Sequence, residues 1–302
     1  MIFKRGLVFF WLCLLNSPAF TAQNKVIKDD LGSSFRLSSP PQRIISLAPN
    51  ITEILFALGL EEKIVGVTRY CDYPAGAFKK EKIGGLIDPN LEKIKALDPD
   101  LIIGFRGNPL RILQRLKSLR LPIFVIEAGE NLESLYLTIE KIGLVTQKER
   151  EADNLATSLR KRYEQIEASL EPVLHKPKVF LLLYGMGLWT CGKNSFLNDL
   201  LIKAKGVNVS GEIPKKWLHL NREQLIHQDP EVVIIMTKSQ EEFYKAKEWL
   251  KKESHLDKIQ AIQKEKIYFL DENLASRFGP RLLDALYQIA LILHSHLFAQ
   301  RP

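Results

Sequence analysis

The 302-residue sequence is poor in cysteine, with three, and in histidine, with six. It has no unbroken apolar run near the ~20 residues that a membrane-spanning helix needs. No two histidines are four apart, so no helix can present the H-x-x-x-H pair of a zinc site. A G-x-S-x-G segment is also missing, which leaves a serine hydrolase without an obvious nucleophile. The sequence therefore offers no catalytic residue and no metal site.

Charge and composition indicate a globular protein that does not bind nucleic acid. The formal net charge is +8, with 46% hydrophobic and 26% charged residues. Lysine and arginine are scattered and often stand beside glutamate, as in 79–82 and 160–164. Nucleic-acid binding would need a basic face on a recognisable module. The basic residues are better interpreted as a solvated surface.

The first 22 residues have the pattern of a cleaved export signal. Lys4 and Arg5 precede an apolar run over 7–15, and small residues follow at 17–22. Removal of the signal would lower the formal net charge to +6, and the signal predicts an exported protein. Cys13 lies inside the apolar run without small residues before it, so it is not interpreted as a lipid attachment site. An uncleaved anchor and an unusual lipoprotein signal are the alternatives.

Only Cys71 and Cys191 would remain in the mature chain. Two cysteines of an exported protein can form a disulfide, which here would join the two halves of the chain. We expect instead two free, partly buried thiols.

Hydrophobic periodicity predicts alternating strands and helices, typical of a mostly parallel sheet covered by helices. A helix is expected to begin at Asn50, with Glu53 completing a capping box. A long helix follows, with a capping box of Thr146 and Glu149, and ends before Pro172. The strands of the first half are predicted at 43–47, 64–67, 101–105 and 122–126, with helices near 91–97, 109–119 and 131–143.

After the long helix the pattern restarts, which predicts an α/β protein of two Rossmann-like lobes joined by one helix. Strands are predicted at 178–183, 231–236 and 266–270, and helices at 196–204, 239–250 and from Pro280 onwards. The predicted division is a signal over 1–22, a first lobe over 23–145, a linker helix over 146–172 and a second lobe over 173–302.

The two halves also share a sequence register. Residues 90–103 (NLEKIKALDPDLII) and 221–235 (NREQLIHQDPEVVII) place Asn, Glu and an Asp-Pro pair at positions 131 apart. Helix–turn–strand units resemble one another in general, but a shared cap, acid and Asp-Pro favour a true internal repeat.

Residues 187–193 (GLWTCGK) come close to a phosphate-binding loop. That motif needs Ser or Thr directly after its Lys, to bring a hydroxyl to magnesium. Asn194 stands there, and Ser195 follows one residue late. We therefore interpret the segment as a loop beside a cleft, and an exported nucleotide-binding protein or enzyme is the alternative from a different class.

Aromatic and basic residues cluster where the predicted strands end. Ligands of open α/β sheets bind beyond the carboxyl ends of the strands, so these residues predict a pocket for a large, flat, partly apolar ligand. They are Tyr70, Tyr73, Phe105, Arg106, Trp189, Trp217, His219, Arg277 and Phe278.

Several of these segments resemble the periplasmic binding proteins of importers for cobalamin, haem and iron–siderophores. The matching segments are 43–54 (RIISLAPNITEI), 70–74 (YCDYP), the two Asp-Pro repeats, 189–195 (WTCGKNS) and 276–281 (SRFGPR). Within the family the chain is most similar to the cobalamin-binding members. The resemblance implies a periplasmic protein of two lobes joined by a long helix. It also implies cobalamin or a related corrinoid as transported ligand rather than cofactor, and delivery to an ABC permease dimer in the inner membrane.

The resemblance also implies roles for particular residues. Tyr70, Phe105, Trp189, Trp217 and Arg277 would line the corrin site, together with the nearby Arg106, His219 and Asn273. Glu92 and Glu223 would dock onto the permease, one per lobe. Each acid also lies in the first turn of a helix, where a carboxylate offsets the helix dipole by ~0.3–1 kcal/mol.

The chain departs from the cobalamin binders inside the cleft. Leu86 stands near a position where they can have Trp, and Asn273 stands where an Asp is expected. Haem or a ferric siderophore is therefore the alternative ligand, with Tyr70 or His219 as an iron ligand.

Overall fold

A computed structural model describes residues 25–37, 39–127, 129–183 and 187–298. The predicted export signal over 1–22 lies outside these ranges. Within them, no helix combines the length and the apolar character needed to cross a membrane.

The first half forms a parallel sheet preceded by an antiparallel hairpin. The sheet has the strand order β4-β3-β5-β6, and a helix follows three of its strands at their carboxyl ends. The strands are β1 (Lys25–Lys28), β2 (Ser34–Leu37), β3 (Ile44–Ser46), β4 (Ile64–Val67), β5 (Leu101–Phe105) and β6 (Ile123–Ile126). The helices are α1 (Pro49–Ala57), α2 (Leu91–Ala96), α3 (Leu110–Ser118) and α4 (Leu132–Thr146).

A single long helix, α5 (Glu149–Ser169), connects the two halves, and the second half then builds a second parallel sheet. Its strands are β7 (Lys178–Leu183), β9 (Val207–Asn208), β11 (Val232–Thr237) and β12 (Ile267–Asp271), and β8 (Trp189–Cys191) pairs with β10 (Trp217–His219) in a separate antiparallel ribbon. The helices are α6 (Phe196–Lys203), α7 (Arg222–Gln228), α8 (Gln240–Lys252), α9 (Gln260–Gln263), α10 (Glu272–Ala275) and α11 (Leu282–Phe298).

The two sheets have the same topology. The strand orders are β4-β3-β5-β6 and β9-β7-β11-β12. Counted along the chain within each sheet, the first strand (β3 or β7) lies between the second and the third, and the fourth lies at the edge next to the third. All pairs in both sheets are parallel. The predicted α/β class with two similar parallel units is confirmed.

The sequence repeat is a repeat of structure. Asn90 Oδ1 accepts a hydrogen bond from Lys93 N at 2.9 Å to cap α2, and Asn221 Oδ1 accepts one from Gln224 N at 2.7 Å to cap α7. After the two helices, the Asp of each Asp-Pro pair has a left-handed backbone, with φ of 43° at position 98 and 45° at 229. Asp tolerates this conformation, and the Pro that follows cannot continue a helix. Each unit is thus a capped helix, a sharp turn and a buried strand.

Three predicted helix starts are wrong. Helix α1 begins at Pro49, a favoured first-turn residue, so Asn50 lies inside the helix instead of capping it. Thr146 is the last residue of α4 rather than the cap of α5, because Gln147 adopts a left-handed φ of 56° and terminates α4. Helix α5 therefore starts at Glu149, with Lys148 at the N-cap, and its 21 residues span about 32 Å at ~1.5 Å per residue. The last helix begins at Leu282, two residues after Pro280.

One hydrophobic core runs through both halves. Along β11, Val232, Ile234 and Met236 face this shared core, whereas Val233 and Ile235 face a second one. The same alternation occurs along the other central strands, because successive strand residues point to opposite faces. Helices α1, α4, α5, α6 and α11 fill the shared core between the two sheets. Separation of the halves would expose this apolar surface to water, which opposes a wide hinge motion.

Candidate functional site

A cleft of about 710 Å³ lies between the carboxyl ends of the two sheets. Its walls are the segments that directly follow β3, β4, β5 and β6 on one side and β11 and β12 on the other. This is the edge at which open α/β sheets bind ligands. The lining residues are Ala48, Pro49, Asn50, Tyr70, Leu86, Phe105, Arg106, Gly107, Glu127, Phe196, Lys216, Trp217, Lys238, Glu272, Asn273, Ser276, Arg277 and Phe278.

Aromatic rings line both walls of this cleft. Tyr70 and Phe105 belong to the first half, and Trp217 faces them from the second. Trp217 is 40% exposed and packs edge-on against Phe196, with ring centroids 6.2 Å apart. Phe196 in turn contacts Phe278 at 5.4 Å. Phe196 was not among the predicted site residues, because its place at the start of an amphipathic helix indicates a core residue.

The structure does not place Trp189 and His219 in the cleft. They pair across the β8–β10 ribbon, with ring centroids 5.7 Å apart, on the same exposed face as Trp217 but farther along it. His219 Nε2 accepts a hydrogen bond from Leu188 N at 3.2 Å and borders a separate hollow of about 520 Å³. The sequence predicts loops for both strands of this ribbon, because strands of three residues carry almost no periodic signal.

Arg277 lies at the floor of the cleft inside a network of charges that joins the two halves. Its guanidinium donates to both carboxylate oxygens of Asp72, at 2.5 and 2.9 Å, to Glu53 Oε1 at 3.3 Å and to Asn273 Oδ1 at 3.0 Å. Arg281 completes the network with bonds to the two oxygens of Glu53 at 3.0 and 2.6 Å. Asp72 and Glu53 come from the first half and both arginines from the second, so these bonds tie the two walls together.

This network explains the electrostatics of the cleft floor. Partial burial opposes the charged form of Asp72, but hydrogen bonds and attraction from Arg277 outweigh it and hold the Asp72 pKa below its usual value. Arg277, only 11% exposed, is thereby neutralised by protein groups before any ligand arrives. Asp72, Glu53 and Arg281 were not among the predicted site residues. Nothing in the sequence pattern indicates that residues more than 200 positions apart would meet.

The upper walls carry further charges. Arg106 pairs with Glu127 at 2.6 Å on the first wall, and both side chains are about half exposed. Lys216, Lys238 and Glu272 line the second wall. Burial raises the Glu272 pKa, and neighbouring carboxylates add to the shift against an opposing attraction from Lys238.

The family model for periplasmic binding proteins matches residues 44–274, more than three quarters of the chain. The chain belongs to this family. A vitamin B12-binding protein of Pectobacterium atrosepticum is 29% identical over 256 residues, which cover 82% of this chain and 87% of the relative. The crystal structure of the vitamin B12-binding protein BtuF of Vibrio cholerae is 27% identical with a TM-score of 0.73, covering 86% of this chain and 99% of that one. A possible iron-binding periplasmic solute-binding protein of Staphylococcus epidermidis is 28% identical with a TM-score of 0.76, covering 85% and 100%.

In this periplasmic binding protein, Glu92 and Glu223 occupy equivalent exposed positions. Each lies in the first turn of a short helix behind an Asn cap, α2 in one half and α7 in the other. Within the described ranges neither carboxylate forms an ion pair. Both are therefore available to an external basic partner, while also lying where a negative charge stabilises its own helix.

In the segment that resembles a phosphate-binding loop, the backbone N–H groups of 192–194 are already hydrogen-bonded within the protein. A phosphate loop needs free backbone N–H groups. Here Gly192 N donates to Lys216 O, Lys193 N to Ile213 O and Asn194 N to Lys215 O, at 2.8 to 3.2 Å. The loop thus hydrogen-bonds to the segment that leads into β10, and these N–H groups are not available to bind a phosphate.

Cys71 and Cys191 are free thiols, as predicted, and both are fully buried where partial burial was expected. Burial raises the pKa of both thiols, to about 12 at Cys191. Among the described residues no group of three His, Cys, Asp or Glu side chains lies close enough together to hold a metal ion.

Proposed function

We propose that this protein is an exported solute-binding protein of an ABC importer and that it holds cobalamin or a related corrinoid in the cleft between its two halves. The aromatic-walled cleft at the carboxyl ends of both sheets carries the proposal. The vitamin B12-binding relatives supply the ligand class.

The cleft chemistry suits a large ring ligand. Tyr70, Phe105 and Trp217 offer flat apolar surface on two facing walls, and aromatic rings bury a large area at small entropic cost. Polar and charged side chains lie between these apolar surfaces, where they can fix the orientation of a ligand that the rings hold. Binding needs no bond to be made or broken, so the protein acts by capture and release.

Calorimetry with purified protein tests the ligand. Cyanocobalamin, haem and a ferric siderophore are titrated separately into the same preparation. We expect saturable heat with cyanocobalamin at a 1:1 ratio. Clear heat with haem and none with cyanocobalamin would contradict the corrinoid assignment and leave the solute-binding function in place.

Delivery to a permease dimer is proposed through Glu92 and Glu223. The shared core fixes the two halves relative to each other, so the two acids keep a constant separation that a two-fold symmetric partner can match. The double change Glu92→Ala and Glu223→Ala should leave ligand binding intact and abolish transport in a strain that depends on this protein. Glu164→Ala, another exposed acid, is the control. Unchanged transport in the double variant would contradict the docking role.

Haem or a ferric siderophore is a second candidate, favoured by one observation. Tyr70 lines the cleft with 49% of its surface exposed, and a phenolate is a suitable ligand for ferric iron. His219, the other predicted iron ligand, lies outside the cleft. Because cobalamin is itself red, the test is the type of absorbance band. A haem Soret band or a phenolate-to-iron charge-transfer band in the purified protein that is altered or lost in Tyr70→Phe would favour this candidate over cobalamin.

A nucleotide-binding function would need the loop at 187–195. Because its N–H groups are already bonded, we expect no magnesium-dependent nucleotide binding. Such binding, abolished by Lys193→Ala, would contradict the proposal.

A further inference from the structure

Most charges around the cleft are neutralised in pairs. On the floor, Arg277 and Arg281 are matched by Asp72 and Glu53. On the first wall, Arg106 is matched by Glu127. These three cations and three anions leave no net charge on the floor or on the first wall.

The second wall is different. Lys216 and Lys238 both line it, and within the described ranges neither ammonium group has a carboxylate within ion-pair distance. Glu272 is the acid among the lining residues of this wall, so two ammonium groups stand against one carboxylate, which Lys238 influences without forming an ion pair. The second wall therefore carries an excess of positive charge in a cleft that is otherwise balanced.

Both lysines are held at fixed points of the backbone. Lys216 O accepts a hydrogen bond from Gly192 N at 3.1 Å, directly before the cleft residue Trp217. Lys238 follows the last residue of β11, and its N donates to Glu242 Oε2 at 3.0 Å at the start of α8. The anchored backbone limits where the two ammonium groups can reach. It keeps them on the wall that bears Trp217.

We propose that Lys216 and Lys238 form an anion-binding wall that selects ligands with a carboxylate or phosphate group on the edge facing the second half of the protein. The inference rests on the proposed solute-binding function of this cleft. Lys216 is half-buried and Lys238 is exposed at the edge of the cleft. Two cations on one wall of a cleft with apolar surfaces raise the local positive potential and attract an anion. A neutral ring of the same shape gains the aromatic contacts but not this attraction.

Matched ligands test the proposal. Cyanocobalamin carries a phosphodiester, dicyanocobyrinic acid carries carboxylates, and dicyanocobinamide carries neither. We expect the wild-type protein at low salt to bind the two corrinoids that carry an anionic group about tenfold tighter than dicyanocobinamide, which carries none. In the variant K216Q/K238Q this preference should be lost, and 0.5 M NaCl should weaken it in the wild type through screening. The variant K79Q/K161Q, which removes two exposed lysines that do not line the cleft, should keep the preference.

A second pair of probes separates this inference from the corrinoid assignment. Haem and haem dimethyl ester share one ring and differ only in two carboxylates. If no corrinoid binds, the ligand assignment is wrong, and the wild-type preference for haem over its ester still tests the lysines. Equal affinity of the wild type for charged and neutral members of either pair overturns the anion-binding wall. An equal loss for both members in K216Q/K238Q overturns it as well.

Discussion

The substitution Glu53→Gln tests the charge network that joins the two halves. Glu53 is 2% exposed and accepts three hydrogen bonds, one from Arg277 and two from Arg281. Glutamine preserves the size and shape of the side chain but removes its charge. It also turns an NH₂ group towards one of the guanidinium groups, which can only donate.

The expected cost follows from the burial of the partners. Arg277 and Arg281 are 11% and 16% exposed, so two cations would lose a buried counter-charge. Removal of one partner from a buried ion pair costs about 3–5 kcal/mol. Arg277 retains Asp72, and Arg281 retains a bond to Asn273 O at 3.3 Å, which favours the lower end, about 3 kcal/mol.

Urea unfolding at pH 7 measures this cost, with the slope m checked for constancy. The control is Glu127→Gln, the same chemical change in the half-exposed pair with Arg106, for which we expect about 0–1 kcal/mol. A loss of unfolding free energy in Glu53→Gln no larger than that of Glu127→Gln would refute the argument that this network holds the halves together.

Three further predictions concern the cleft floor, the aromatic wall and the repeat. The Asp72 pKa is lowered in the folded protein, so the stabilising contribution of this carboxylate is present above the unfolded pKa of ~3.9 and is lost as pH falls through the lower folded value. The difference in unfolding free energy between wild type and Asp72→Asn should therefore shrink below about pH 4. A constant difference down to pH 2 would contradict the pairing with Arg277. Trp217→Ala should weaken ligand binding by at least ~10-fold in calorimetry while the melting temperature changes little, because the ring is 40% exposed; unchanged affinity would remove Trp217 from the site. Asn221→Ala should lower the free energy of unfolding by about 1 kcal/mol through loss of the cap on Gln224 N, and Asn221→Asp, which can still accept that bond, should not.

The fold could be predicted from the sequence because its signals are local. The strands at 64–67, 101–105 and 178–183 lie where the apolar runs placed them. The Asn caps and Asp-Pro turns spaced 131 apart appear as two equivalent units. Errors occurred where two local signals compete, as at Thr146, whose hydroxyl bonds back to Ile142 O at 2.7 Å inside α4 instead of capping α5.

The candidate site could be predicted only in part. Six of the eight predicted binding residues line the cleft. Five of them lie at or after the carboxyl ends of β4, β5 and β12, and the sixth, Trp217, is the first residue of β10. Trp189 and His219 do not line the cleft, because the pairing of two three-residue strands turned their side chains along a ribbon outside it. The lobe boundaries, the docking acids and the identity of the ligand stay predictions.

The sequence by itself determined the class of fold and its internal repeat, because capping, turn chemistry and alternation of apolar residues act over a few positions. The family followed from the resemblance of longer segments, such as 43–54 and 276–281. Only the tertiary structure decided which charges meet. Glu53 and Asp72 are brought to Arg277 across more than 200 residues by the packing of two sheets onto shared helices. That pairing neutralises the arginine that sequence reasoning assigned to the ligand, whereas Lys216 and Lys238 line the cleft without an ion pair among the residues that the structure describes.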